Sequence, residues 1–192
     1  MNSQPFYVMA AFATSAILLV LTWRAWQQRH RSEVRCFAAI GLSATLWTFF
    51  YALELAMPGL DAMLTFSKLK HIGIVWMPVT WLTFSLAYSG RPMRWDWRLY
   101  ALFIVPVITL LAVLSNEVHH LYWTHVFIRG LLDFEILDYE FGPVFLLFLA
   151  YTYSMISAGI WILLRLTRSS AERYKDQTRI ILWIALLPLM AT

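Results

Sequence analysis

Residues 71–90 read H-I-G-I-V-W-M-P-V-T-W-L-T-F-S-L-A-Y-S-G, twenty positions without one Asp, Glu, Lys or Arg. An α-helix needs about 20 mostly apolar residues to cross roughly 30 Å of hydrocarbon. Only helices and closed barrels satisfy their backbone groups in lipid. Barrel strands alternate over about ten residues, and this run is continuous, so it reads as a membrane helix. Four further charge-free runs flank it, at residues 1–23, 36–53, 99–116 and 141–164. A sixth opens at Ile180 and reaches Thr192 after thirteen residues. Thirteen residues rise only about 20 Å, so a continuation beyond Thr192 is expected. The fold class is therefore all-α, a polytopic transmembrane helix bundle with six helices in these 192 residues, the sixth truncated. Composition agrees: the chain is 60% hydrophobic and only 14% charged, where a soluble domain carries about a quarter of its residues charged. The opening M-N-S-Q-P-F-Y carries no positive charge, so the first run reads as an anchor and not as a cleaved signal peptide.

Charge orients the runs. Twelve of the fifteen basic residues fall in the loops after runs one, three and five. The opposite side keeps Lys68, Lys70 and Arg129, together with Glu54, Asp61, Glu117, Asp133, Glu135, Asp138 and Glu140. The positive-inside rule then puts the N-terminus outside and the Arg-rich loops in the cytoplasm. The net charge of +4 is spread over three short loops that meet anionic lipid, so it signals no nucleic-acid partner. Cys36 is the one cysteine, which excludes an intrachain disulfide or a thiolate cluster.

Polar groups collect on the outer side. Glu54 lies in F-F-Y-A-L-E-L-A with Tyr51 one turn earlier, and Lys68, Lys70 and His71 open the third run in S-K-L-K-H-I-G-I. Ionisable groups at membrane depth are costly and tend to face the bundle interior or water. Alternatively they mark the interface, with the lysines snorkelling. Beyond the fourth run stands S-N-E-V-H-H-L-Y-W, residues 115–123. If its helix continues, Asn116, His119, His120 and Trp123 share one face and line a wall just outside the bilayer. The other reading is an aromatic interface belt. Adjacent histidines point about 100° apart on a helix, and the spacing that sets two histidines on one face for zinc is absent. No metal, haem or other cofactor is therefore called. The segment from Trp123 to Gly142 is either a small outer hairpin around Gly130, sitting over the bundle mouth, or a solvated loop. Pro78, Pro106 and Pro188 lie inside membrane runs and can kink them. Ala39-x-x-x-Ser43 has the small-residue spacing that lets helices approach.

Five pieces in order carry a resemblance: F-Y-A-L-E-L-A, S-K-L-K-H-I-G-I-V-W-M-P-V-T-W-L-T-F-S-L-A-Y-S-G-R, L-S-N-E-V-H-H-L-Y-W-T, F-G-P-V-F-L-L-F-L-A-Y-T-Y and A-L-L-P-L-M-A. Over nearly the whole chain this resembles the N-terminal seven-helix membrane sensor region of bacterial histidine kinases. The resemblance implies a sensory input module, with a seventh helix leading into a cytoplasmic output domain of the histidine kinase or diguanylate cyclase kind. The family's helix-3 motif usually reads like K-L-E-Y-I-G-I; here Lys70 and His71 replace an acid and a tyrosine. If those positions touch ligand, a more anionic ligand is implied; if they only mark the interface, the change is neutral.

Residues 1–192 are thus expected to form one transmembrane sensor domain, incomplete at its C-terminal end and without catalytic residues of its own, the full-length protein being a signalling enzyme. A small ligand would bind near Glu54, Lys70, His71, Asn116, His119, His120 and Trp123. The signal would pass to an output domain in cis within a homodimer. A small-molecule transporter and an intramembrane metalloenzyme are the alternatives.

Overall fold

The computed structural model describes residues 4–90, 96–131 and 134–169. Eight helical segments and one hairpin follow in order. They are α1 (Gln4–Gln27), α2 (Ser32–Ala56), α3 (Leu60–Ile74), α4 (Met77–Tyr88), α5 (Trp97–Ala101), α6 (Ile104–Leu114), α7 (Asn116–His119), β1 (Trp123–Leu131), β2 (Phe134–Phe141) and α8 (Pro143–Ser169). Among the described residues, four stretches are long and apolar enough to cross a membrane: Gln4–Gln27, Ser32–Ala56, Trp97–Leu114 and Pro143–Leu166. The truncated sixth run lies outside the described residues. The all-α class needs one correction, because an antiparallel two-stranded hairpin joins the helices. A hairpin is one of the two forms that the 123–142 segment allowed.

The third run is two helices. Pro78 has no N–H, so the carbonyl four residues earlier, at Ile74, loses its helical donor. The break falls there, between α3 and α4. Pro106 does the same to the carbonyl of Leu102, which sits in the break between α5 and α6. Here the orphan is caught: the Tyr151 hydroxyl of α8 donates to Leu102 O at 2.8 Å. In lipid no water would do this, so a neighbouring helix must.

α1 packs along α2, α2 packs on α3 and α4, and α8 packs on α4 and α6. Small residues set the closest crossings. A side chain at Gly73 would strike the α2 backbone at Ser43 O and, 2.6 Å away, at Trp47 N. Of the Ala39-x-x-x-Ser43 spacing, Ser43 is thus the residue at the close approach, against Gly73 of α3. At the α4–α8 crossing the Trp81 indole donates to Ile156 O at 3.3 Å. Apolar side chains such as Phe6, Met9 and Leu147 point outward, as the hydrocarbon of a bilayer requires. Two buried clusters cap the ends. Cys36, Phe84 and Ala87 close the Arg-rich end, and Val113, Tyr122 and Trp123 close the hairpin end.

Two expectations follow from these contacts. Tyr151→Phe should lower stability by about 1 kcal/mol, the usual net worth of one hydrogen bond, in reversible denaturation of the protein in mixed micelles. Gly73→Leu should cost at least as much as an overpacked core substitution, about 1–3 kcal/mol. Gly130→Ala, with open space around it, should stay within about 0.5 kcal/mol of the parent.

Candidate functional site

Glu54 comes from the hairpin end of α2 and Lys70 from the C-terminal third of α3. Both are buried, at 3% and 8% exposure. The Lys70 Nζ lies 2.9 Å from Glu54 Oε1 and 2.6 Å from Oε2. Reading the lysines as snorkelling to the interface is therefore corrected for Lys70: its charge is drawn inward by a carboxylate. A charge that leaves water costs several kcal/mol unless a partner and further hydrogen bonds replace the solvent. The further bonds come from β2. The Tyr139 hydroxyl donates to Glu54 Oε1 at 3.4 Å, accepts from Lys70 at 3.4 Å and shares a 2.7 Å bond with Ser67 Oγ. Burial, then the Glu54 charge, holds the Tyr139 hydroxyl above its usual range, so it keeps its proton. The ammonium also lies over the rings of Tyr51 and Tyr139, 5.4 and 5.5 Å from their centroids, a favourable placement for a desolvated cation.

His71 follows one residue on. Its Nδ1 lies 2.7 Å from Ser67 O. A carbonyl can only accept, so Nδ1 carries the proton there and Nε2 is the acceptor of the neutral ring. The ring meets Tyr122 and Trp123 edge-on at 5.3 and 5.2 Å. Trp123 in turn stacks on Tyr139 at 5.1 Å.

Trp123 owes this position to two devices. Trp123 pairs with Phe141 and His125 with Glu140, so Thr124 is an extra residue in the ladder. Such a bulge re-aims the neighbouring side chain. The second device is Asn116, whose amide oxygen accepts from the backbone N–H of Tyr122 at 3.0 Å and of Trp123 at 3.1 Å. Its Nδ2 donates to Trp123 O at 2.9 Å. Asn116 is thus a buried brace for the turn, not a wall residue.

The structure does not carry the helix through to Trp123. α7 ends at His119, and His120 is left-handed with φ 53°. The single face expected for Asn116, His119, His120 and Trp123 is broken. His119 closes the turn: its Nδ1 accepts from Leu121 N at 2.9 Å and its Nε2 faces Ser115 Oγ at 3.2 Å. His120 is exposed. Nearby, Lys68 pairs with Glu117, and that bond holds the Glu117 carboxyl below the ordinary range. Among the described residues no group of three or more His, Cys, Asp or Glu side chains gathers as metal ligands.

Lys70, His71 and Trp123 face a half-open cleft of about 540 Å³. That is a size typical of small-molecule pockets, about 300–1,000 Å³. α2 gives it Trp47, Thr48 and Tyr51, the hairpin gives Tyr139 and Phe141, and α8 gives Phe145. Tyr139 and Phe141 were missed in the sequence. Their signal was the alternation Leu137, Tyr139, Phe141 against Asp138 and Glu140, which puts the aromatics on one face of a strand.

Compared with known protein families, the chain matches a family described as the N-terminal 7TM region of histidine kinase, over residues 9–192. No curated protein matches it, and no solved structure does.

Removing one partner of a buried pair strands the other charge, at a cost of about 3–5 kcal/mol. Glu54→Gln and Lys70→Met should each show a loss of that order in micelle denaturation. The double variant should lose clearly less than the two together. Simple additivity would mean that the two groups do not interact.

Proposed function

We propose, for a chain that belongs to the family of N-terminal 7TM regions of histidine kinases, that the cleft between α2, α3, the hairpin and α8 is where it receives its signal. As a member it is a membrane sensor region, not itself catalytic. In this reading a small ligand enters from the extracytoplasmic side of a bacterial inner membrane, with the N-terminus outside. It changes the packing of the hairpin against α3, and the change passes along the helices to a cytoplasmic output domain in a homodimer. The ligand-facing residues would be Lys70, His71, Trp123 and Tyr139. Glu54 and Asn116 would position them, and His119 and His120 would stay outside the site.

The observation that carries this reading is the convergence of three separate elements on one buried polar cluster beside an open cleft. A ligand shifts an equilibrium only by binding one arrangement better than another. Here a molecule in the cleft would touch both the hairpin, through Tyr139 and Phe141, and α3, through His71. A transporter would need an ionisable path at mid-depth; the buried ionisable side chains among the described residues, Glu54, Lys70 and His71, gather at the hairpin end. The test is autophosphorylation of the full-length protein in native membrane vesicles. Trp123→Ala should change the basal rate about fivefold or more, the range of allosteric couplings. His120→Ala should match the parent. If the rate ignores Trp123→Ala in protein that inserts and folds normally, the cleft does not govern the output.

A further inference from the structure

We propose that the cleft takes a neutral, flat aromatic molecule bearing an O–H or N–H donor, of the phenol or indole kind; this rests on reading the cleft as the sensory site.

Charge comes first. Lys70 is the cation that faces the cleft, and Glu54 holds it with both carboxylate oxygens. An anion would have to displace Glu54 from a buried partner, which exposes a carboxylate to an apolar wall. The more anionic ligand implied by Lys70 and His71 in the helix-3 motif is therefore disfavoured, because the added lysine is answered from within the protein. A ligand cation would meet Lys70 directly and be repelled.

Shape comes next. Trp47, Tyr51, Trp123, Tyr139 and Phe141 give the walls aromatic faces and edges. Flat rings fill such a space in offset or edge-on contact.

The polar atoms then set orientation. Nδ1 of His71 is spent on Ser67 O, and among the described residues Nε2 has no hydrogen-bond partner. The Thr48 hydroxyl donates back to Ala44 O at 2.9 Å, which leaves its lone pairs outward. Both atoms accept. The Tyr139 hydroxyl is taken by Glu54, Lys70 and Ser67, and those of Tyr51 and Tyr122 can rotate to serve either role. A ligand that fits must therefore bring a donor. Trp47 stands nine residues before the end of α2, about 13 Å down the helix, so the cleft reaches hydrocarbon depth. An uncharged aromatic can arrive there from lipid as well as from water.

The test uses full-length protein in lipid nanodiscs and a matched series of probes: 2-naphthol, 2-naphthoate and naphthalene. Binding is read as saturable quenching of tryptophan emission, corrected with empty nanodiscs. The naphthol should bind about tenfold more tightly than either of the others, the size of one hydrogen bond. His71→Phe keeps a ring against Tyr122 and Trp123 but removes Nε2; it should weaken naphthol about tenfold and leave naphthalene unchanged. The probe ranking in the parent protein decides the matter even if that variant fails to fold. A 6-dodecyl-2-naphthol confined to the bilayer separates the sources. Binding of both naphthols supports a membrane-dissolved ligand of this class, and binding of 2-naphthol alone a water-borne one. Naphthoate equal to or tighter than naphthol, naphthalene equal to naphthol, or no saturable binding by any probe overturns the proposal. The sensory reading falls separately, on an autophosphorylation rate indifferent to Trp123→Ala.

Discussion

The contact between Glu54 and Lys70 is the one on which the rest of the hairpin end depends. Two opposite charges held away from water are stable only while each keeps the other and their remaining hydrogen-bonding capacity is filled. Tyr139 bonds to both members of the pair, and Ser67 in turn holds Tyr139. One electrostatic requirement therefore ties α2, α3 and β2 to each other, although β2 lies some seventy residues from α3 in the chain. With the pair satisfied, the ground beside it carries no net charge. The cleft can then be walled with aromatic rings instead of solvated ions.

Between helices in lipid there is little hydrophobic drive, since the surrounding tails are as apolar as leucine. Close packing and polar contacts take over. Gly73 lets α3 lie against the α2 backbone, and the Trp81 indole and Tyr151 hydroxyl reach carbonyls on neighbouring helices. The second of these answers a defect that Pro106 creates. The same kind of defect at Pro78 divides the third apolar run, so its residues that face the cleft lie on α3, while the long contact with α8 lies on α4.

Much of the helix pattern was legible in the sequence, because twenty charge-free residues in a row admit few other structures. The proline breaks were legible as positions, though not as what would repair them. Glu54, Lys70, His71 and Trp123 could be picked out as polar or aromatic groups at a costly depth, and the fold brings those four together. His119 and His120 could not be sorted from them. Their apparent common face assumed a helix that Asn116 ends by drawing the backbone of Tyr122 and Trp123 back on itself. Tyr139 was hidden for another reason. Its partners sit in α2 and α3, and no local pattern encodes a contact over that separation. The Thr124 bulge was equally hidden, since one extra residue in a ladder shows only against its partner strand.

A hairpin of two strands has two edges, and backbone groups left unpaired on an edge can template a strand from another molecule. Proteins confined to a bilayer meet side by side, which makes that exposure more dangerous than in solution. The acids at Glu135, Asp138 and Glu140, with Arg129 bonded to Asp138 at 3.2 Å, stud this hairpin with charge. Two copies meeting edge to edge would bring carboxylates together and bury ions without partners. Charge of this kind on a strand works against pairing between copies, so the acidic residues favour a hairpin whose pairing stays within its own chain.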